Sequence, residues 1–327
     1  MRTPLSRMSR RGRVTIAVLA VFLVLFTLFG KVVDALADLL WYREVQYTTV
    51  FTTLLQTRIV LLLLFGVLVG GAIAGNLYLA YRMRPLLRPH SAEQHALDRY
   101  RLALLPRIGT WITLAAVVIG LFAGLSAQGH WQDWMLFSNS QNFGHTDPQF
   151  GVDVSFYVFR LPFWRYLVSV GFTLVVLSLF GSIALHYLFG GVRLQGAGDR
   201  MTFAARAHLT TLVAFFVALK AVAYFLDRRG LVLGQNASVD LSGGGYTDIN
   251  ALLPAKEILA WISIIVALAI LVLSNAFARN LLWPGVALAL LGISAVVVGG
   301  IYTGLFTQSV KVLRPLIDDA MKVTNPA

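Results

Sequence analysis

The sequence predicts an all-α polytopic membrane bundle of seven transmembrane helices, on three observations. The 327-residue chain is 57% hydrophobic, with a mean hydropathy of +0.73. Only 13% of its residues are charged, about half the roughly 25% usual in soluble domains. Its apolar residues also gather into runs of about 20, the length that crosses a hydrocarbon core about 30 Å thick. Membrane barrels show short alternating segments instead, so helices are the expected spanning element.

Seven runs qualify, at residues 14–36, 58–81, 106–126, 162–189, 205–225, 255–274 and 281–303. They divide the chain into a basic tail (1–13), a seven-helix domain (14–303) and a short amphipathic tail (304–327) that reads as the start of a larger region. Arg2, Arg7, Arg10, Arg11 and Arg13 precede the first span. The second loop adds Arg82, Arg84, Arg88, Arg99, Arg101 and Arg107, the fourth Arg193, Arg200 and Arg206, and the sixth Arg279. Only Glu93, Asp98 and Asp199 oppose these cations, whereas acids outnumber cations in the odd-numbered loops. Short basic loops stay inside, which predicts a cytoplasmic N-terminus and an extracytoplasmic C-terminus. The net charge of +12 then lies at the cytoplasmic face, against anionic lipid headgroups. That placement predicts membrane lipid as a partner and argues against nucleic acid.

The N-terminus resembles a secretory signal, with Ala35-Leu36-Ala37 as a small-x-small site. Its apolar core, Val14 to Gly30, exceeds the usual 7–15 residues, so an uncleaved signal anchor is expected. Lys31 and Asp34 stand three apart near the outer end of this span, on one face, and are positioned to pair. Trp41, Tyr42 and Tyr47 in the first outer loop suit the headgroup level. Small residues then recur four apart: Gly66 and Gly70, Gly71 and Gly75, Gly120 and Gly124, Gly300 and Gly304. Such spacing lets helix backbones approach closely, and packing within the bundle is the expected use.

The second loop contains three prolines and a short helix after Ser91, with Gln94 completing a capping box. His90 and His95 are five apart, off the spacing that sets two ligands on one helix face, and read as cytoplasmic surface. The third outer loop runs from Gln128 to Leu161 and is crowded with rings. Trp131, Trp134, Phe150, Phe156 and Tyr157 are recognition candidates there, with Asp147 and Asp153. His145, Asp147 and Asp153 form the one weak metal candidate, as an imidazole with hard oxygen ligands. Asp147-Pro148 equally reads as a turn in which the carboxylate caps backbone amides.

His186 and His208 fall at the cytoplasmic ends of the fourth and fifth spans, as polar helix ends or members of a proton path. Lys220, two turns from the outer end of the fifth span, shares a face with Asp227. That pair is a candidate pathway or ion pair; a lysine snorkelling to the headgroups is the alternative. Tyr246 and Asp248 in the Gly-rich fifth outer loop complete the recognition candidates. "SGGGY" at 242–246 reads as a turn, or as a nest of amides for an anion. Pro254 opens the sixth helix. No span has a carboxylate near its middle, which argues against a cation-coupled carrier. The chain lacks HExxH, GxSxG and Walker patterns and has no cysteine, so no catalytic residue and no cofactor is predicted. Beyond residue 303, Val310, Leu313, Ile317 and Met321 form an apolar stripe interrupted at Pro315.

"DPQFGVDVSFYVFRLPF" at 147–163, "YFLDRRGLVL" at 224–233 and "GGGYTDINALLPA" at 243–255 resemble the hallmark segments of uncharacterised protein family 0182. The resemblance runs from about residue 10 to 303, with spans in matching order and spacing. It implies a bacterial plasma-membrane protein whose seven N-terminal spans precede a large extracytoplasmic region. The leading functional expectation is a membrane scaffold or anchor presenting an extracytoplasmic cap to a protein or envelope component. A transporter or channel with a pathway near Lys220 is the alternative. A membrane enzyme acting on envelope or lipid-linked substrates is the third.

Overall fold

The computed structural model describes residues 10–85, 92–194, 200–236, 241–276, 282–302, 304–305 and 308–309. The tail through Ser9, the residues Arg88, His90 and Ser91, Asp199, Arg279 and the stripe from Val310 lie outside the described residues. The fold is helical: α1 (Arg10–Glu44), α2 (Thr48–Arg82), α3 (Ala92–Leu104), α4 (Ile108–Gly129), α5 (Trp131–Ser138), α6 (Leu161–Leu188), α7 (Phe203–Gly230), α8 (Leu253–Ala276) and α9 (Leu282–Val296). Strand β1 (Gln235–Asn236) pairs antiparallel with β2 (Leu241–Ser242) in a two-residue ladder. Five helical stretches are long and apolar enough to cross a membrane: Thr48–Arg82, Ala96–Gly129, Phe156–Leu188, Phe203–Leu233 and Asp248–Val272. The first and seventh expected spans coincide with α1 and with α9 plus its wide final turn, Val297–Tyr302.

The chain divides into two compact units, 1–60 and 61–327. In the first, α1 and the start of α2 are separated only by a tight turn in which Gln46 adopts φ +62°. The first outer loop is therefore short: Trp41 and Tyr42 belong to the end of α1, the threonines from Thr48 onward to α2, and Val45 and Tyr47 lie in the turn between them. β-branching costs a helix only tenths of a kcal/mol per residue, and Thr hydroxyls find backbone acceptors inside it. Thr52 Oγ1 donates to the Thr49 carbonyl at 3.0 Å and Thr57 Oγ1 to that of Thr53 at 2.8 Å. Lys31 and Asp34 pair as expected, at 3.7 Å, with both side chains exposed.

In the second unit, three apolar clusters hold the helices together. Val69, Ile73 and Leu77 of α2 meet Ile112 of α4, with Leu174 and Leu185 of α6 alongside. Leu61, Phe65, Ala127, Phe163 and Tyr166 gather where α5 lays Trp131, Trp134 and Phe137 over them. Ala214 and Val217 of α7 pack with Val266, Ala267 and Ile270 of α8. Two of the four glycine pairs form a helix contact. A Cβ on Gly70 would stand 2.8 Å from the Ala116 carbonyl oxygen, one on Gly120 2.5 Å from that of Gly66, and one on Gly124 would strike that of Leu62. A Cβ on Gly71, Gly75, Gly300 or Gly304 would meet nothing within 4 Å. Large apolar side chains such as Phe122 and Phe180 remain exposed between the helices' packed faces, as expected of surfaces whose solvent is lipid.

Candidate functional site

The segments that stood out in the sequence fold together into a cap at one end of the second unit. Its first part, 143–160, is organised by two carboxylates. Asp147, 4% exposed, accepts the amides of Gln149 and Phe150 at 3.0 and 2.8 Å and the Tyr157 hydroxyl at 3.0 Å. Asp153 accepts the amides of Phe143, Gly144 and Ser155 at 2.9–3.0 Å. Hydrogen bonding from Ser155 and then from these amides holds the Asp153 carboxyl well below the usual carboxylate range. Positive φ at Gly144 (+78°) and Gly151 (+64°) lets the chain reverse twice, and a bridge between Thr146 and Asp153 closes the loop. Both acids are therefore directed at their own loop's backbone. Among the described residues no three metal-binding side chains gather, the set His145, Asp147 and Asp153 included.

The second part is the "DRR" at the end of α7. Arg229 lies 5.0 Å over the Phe156 ring and Arg228 5.3 Å over Phe150, contacts in which a cation meets the negative face of a ring. Arg228 also pairs with Glu257 at 3.0 Å. Asp227 lies between two cations, 3.4 Å from Lys256 of α8 and 4.0 Å from Arg165 of α6. The candidate Lys220–Asp227 ion pair is not among the pairs Asp227 makes. Lys220 Nζ instead lies 5.7 Å from the Phe172 ring and 5.6 Å from that of Tyr224, two aromatic faces, while Asp227 is engaged by the nearer outer cations.

The third part is the Gly-rich loop. Gly243 donates to the Gly234 carbonyl at 2.7 Å beside the β1–β2 ladder, and Asp248 accepts the Gly245 amide at 2.9 Å. "SGGGY" is thus one arm of a small hairpin. Both hallmark loops join their helices in the same way. Leu161 N–H bonds the Phe156 carbonyl and Leu253 N–H that of Asp248, each a five-residue-wide turn directly before a proline. Pro162 and Pro254 lack the amide that an ordinary turn would use, and the wide turn re-sets the ladder around that gap.

Of the recognition candidates, Trp131 and Trp134 cover the core, Asp147 and Tyr157 bond one another, and Phe150 and Phe156 seat the arginines. Tyr246, 66% exposed, and Phe143, 49% exposed, are the large rings the cap presents outward. Phe143, one of the third loop's many rings but not among the recognition candidates, is set outward beside the left-handed Gly144.

At the opposite end of α6 and α7 a second polar group is buried. His186 Nε2 lies 3.2 Å from His208 Nδ1, and His208 Nε2 lies 3.5 Å from Asn76 Oδ1 of α2. Ser178 Oγ, Ser182 Oγ, His186 Nδ1 and Arg206 Nε are buried without hydrogen-bond partners among the described residues.

Long apolar helices closed at one end by a polar and aromatic cap are an architecture consistent with a helical membrane protein. The chain belongs to the Uncharacterised protein family (UPF0182), whose profile matches residues 15–315. It is 61% identical over 299 residues to a UPF0182 protein of Salinispora tropica, covering 91% of this chain and 30% of that one. A UPF0182 protein of Frankia alni is 46% identical over 271 residues, 83% of this chain and 26% of its own. One of Streptomyces coelicolor is 43% identical over 311 residues, 93% and 30% respectively. The chain thus spans about 30% of the length of these relatives. No solved structure matches it.

Proposed function

We propose that the chain is a seven-span scaffold of the bacterial plasma membrane, N-terminus cytoplasmic, whose extracytoplasmic cap is a preassembled platform for a protein or envelope component. The observation that carries this reading is the internal consumption of the cap's chemistry. Asp147, Asp153 and Asp248 hold backbone amides and Arg228 and Arg229 hold rings, while the cap's outward surface includes the aromatic rings of Tyr246 and Phe143. Rigid aromatic rings on a fixed frame are the usual energetic centres of recognition. The cluster of Arg82, Arg84, Arg99 and Arg107 around α3 supports a cytoplasmic, anionic-lipid-facing location for that end.

The absence of cysteine makes single-cysteine reporters clean. Tyr246→Cys should react with an impermeant maleimide on intact cells, and Arg99→Cys only after permeabilisation; the reverse pattern sinks the orientation. A photo-crosslinking residue at Tyr246 or Phe143 should give one discrete adduct in living cells. The same probe at the exposed helix residue Phe180 should give lipid alone. Lipid adducts at all three positions would reject the platform.

The buried His186–His208–Asn76 group, with Ser182 and Ser178 one and two turns along α6, favours a second reading as a polar conduit. Proton leak in reconstituted vesicles that falls on His208→Phe would move this reading to first place; tight vesicles would remove it.

A further inference from the structure

Between α4 and α6, with Val69 of α2 at its floor, lies a cavity of about 600 Å³, within the roughly 300–1,000 Å³ of small-ligand sites. Its lining is graded. Arg165, His130 and Ser126 stand at the cap end, and Ile119, Phe122 and Leu177 line the far end. Twelve helical residues separate Arg165 from Leu177, about 18 Å at 1.5 Å per residue. Tyr166, 8% exposed, stacks on His130 at 4.0 Å. Its buried hydroxyl, near Ser126, lacks a hydrogen bond of full geometry, and a buried polar group in that condition is costly unless something else meets it.

Charge at the cap end selects the ligand. Asp227 is the acid nearest Arg165, but it lies closer to Lys256, at 3.4 Å against 4.0 Å. Around Asp227, one carboxylate between two cations leaves a local positive excess. The Asp133 carboxylate, at the same end, is engaged by His130 Nδ1 at 2.8 Å. Arg165 itself is 46% exposed at its side chain, so its guanidinium can meet a phosphate from the membrane surface, the anion its fork fits best.

We propose that this cavity binds an acidic glycerophospholipid of the leaflet on the cap side. Its phosphate sits at Arg165, its ester oxygens near Tyr166 and Ser126, and one acyl chain runs along the apolar slot toward Leu177. The proposal rests on the helices being spans. Gly230 supports it locally, because a Cβ there would collide with the Arg165 guanidinium; the glycine is what allows Arg165 its present place.

The test uses the full chain in nanodiscs of equimolar phosphatidylglycerol and phosphatidylcholine, with retained lipid read by native mass spectrometry. The wild type should retain phosphatidylglycerol over phosphatidylcholine by about tenfold, the scale of one charge-assisted contact. Arg165→Gln should lose the preference but keep one lipid. Ala123→Phe, which fills the slot, should lose the lipid altogether. Gly230→Ala should weaken the preference with the charge still present, which separates displacement from deletion. Equal retention of the two lipids by the wild type overturns the proposal, as does undiminished retention in a well-folded Ala123→Phe. Competition by soluble glycerol phosphate would reduce the site to an anion subsite and overturn the chain slot. Carbonate extraction of native membranes distinguishes the underlying reading. A chain released into the soluble fraction is no span, whereas a resistant chain without lipid preference refutes the lipid site alone.

Discussion

At the scale of residues, Asp147 and Asp153 explain why the hallmark loop is acidic without being a site for metal. Each is surrounded by amides that the loop's reversals leave without a ladder partner, and a carboxylate is the strongest neutral-pH acceptor for them. Asp147→Ala should destabilise the cap by about 3 kcal/mol and Tyr157→Phe by about 1 kcal/mol, the difference between losing a charged acceptor and losing one of its donors. Thermal unfolding followed through tryptophan fluorescence would read both. Asp153 has a sign to test. Its carboxyl is held below the ordinary value, so its contribution is fully present above about pH 4 and declines as pH falls further, through the folded-state titration. Protection of the Phe143 and Gly144 amides from hydrogen exchange should hold from pH 7 to about pH 4 and fade below, and Asp153→Asn should flatten that profile. Asp147-Pro148 as an amide-capping turn was legible in the sequence, because Asx turns are local chemistry. Helix periodicity set Lys220 and Asp227 on one face, but it says nothing of Lys256 and Arg165 on neighbouring helices, which are the cations Asp227 meets.

At the scale of elements, the glycine spacing in α2 and α4 was legible and its use is physical. Gly66, Gly70, Gly120 and Gly124 bring two backbones within contact of one another's carbonyls, the close approach by which van der Waals packing joins helices when their solvent is lipid. Gly124→Ala and Gly120→Ala should each cost about 1–3 kcal/mol through forced separation, and Gly71→Ala, which meets open space, should be near neutral. Melting temperatures in one detergent would rank the three. The extension of α2 back to Thr48 was not legible, since a helix that outruns its apolar segment leaves no hydropathy signal. Nor were the wide turns before Pro162 and Pro254, although the shared Leu-Pro ending of "VFRLP" and "NALLP" was in view.

At the scale of the whole second unit, composition alone announced long apolar helices, and five of the expected runs coincide with them. The cap's assembly from three distant segments was beyond the sequence, because its contacts join residues such as Phe150 and Arg228 that no periodicity relates. Asp227→Ala should lower stability by about 1 kcal/mol, with the loss shrinking in about 1 M salt as these half-exposed charges are screened. One carboxylate there ties the start of α6, the end of α7 and the start of α8, with Arg228–Glu257 as a second tie between α7 and α8. The far ends of α6 and α7 share the His186–His208 contact and are tied again just beyond it, where Arg193 N–H donates to the Arg200 carbonyl at 2.8 Å and Thr202 N–H to that of Gly191 at 2.9 Å. These two helices are therefore fastened at both ends, by the Arg165–Asp227 ion pair at the cap and by backbone hydrogen bonds beyond the histidines. A load on the cap would pass down them as along two rails clamped at both ends, with the histidines beside the second clamp.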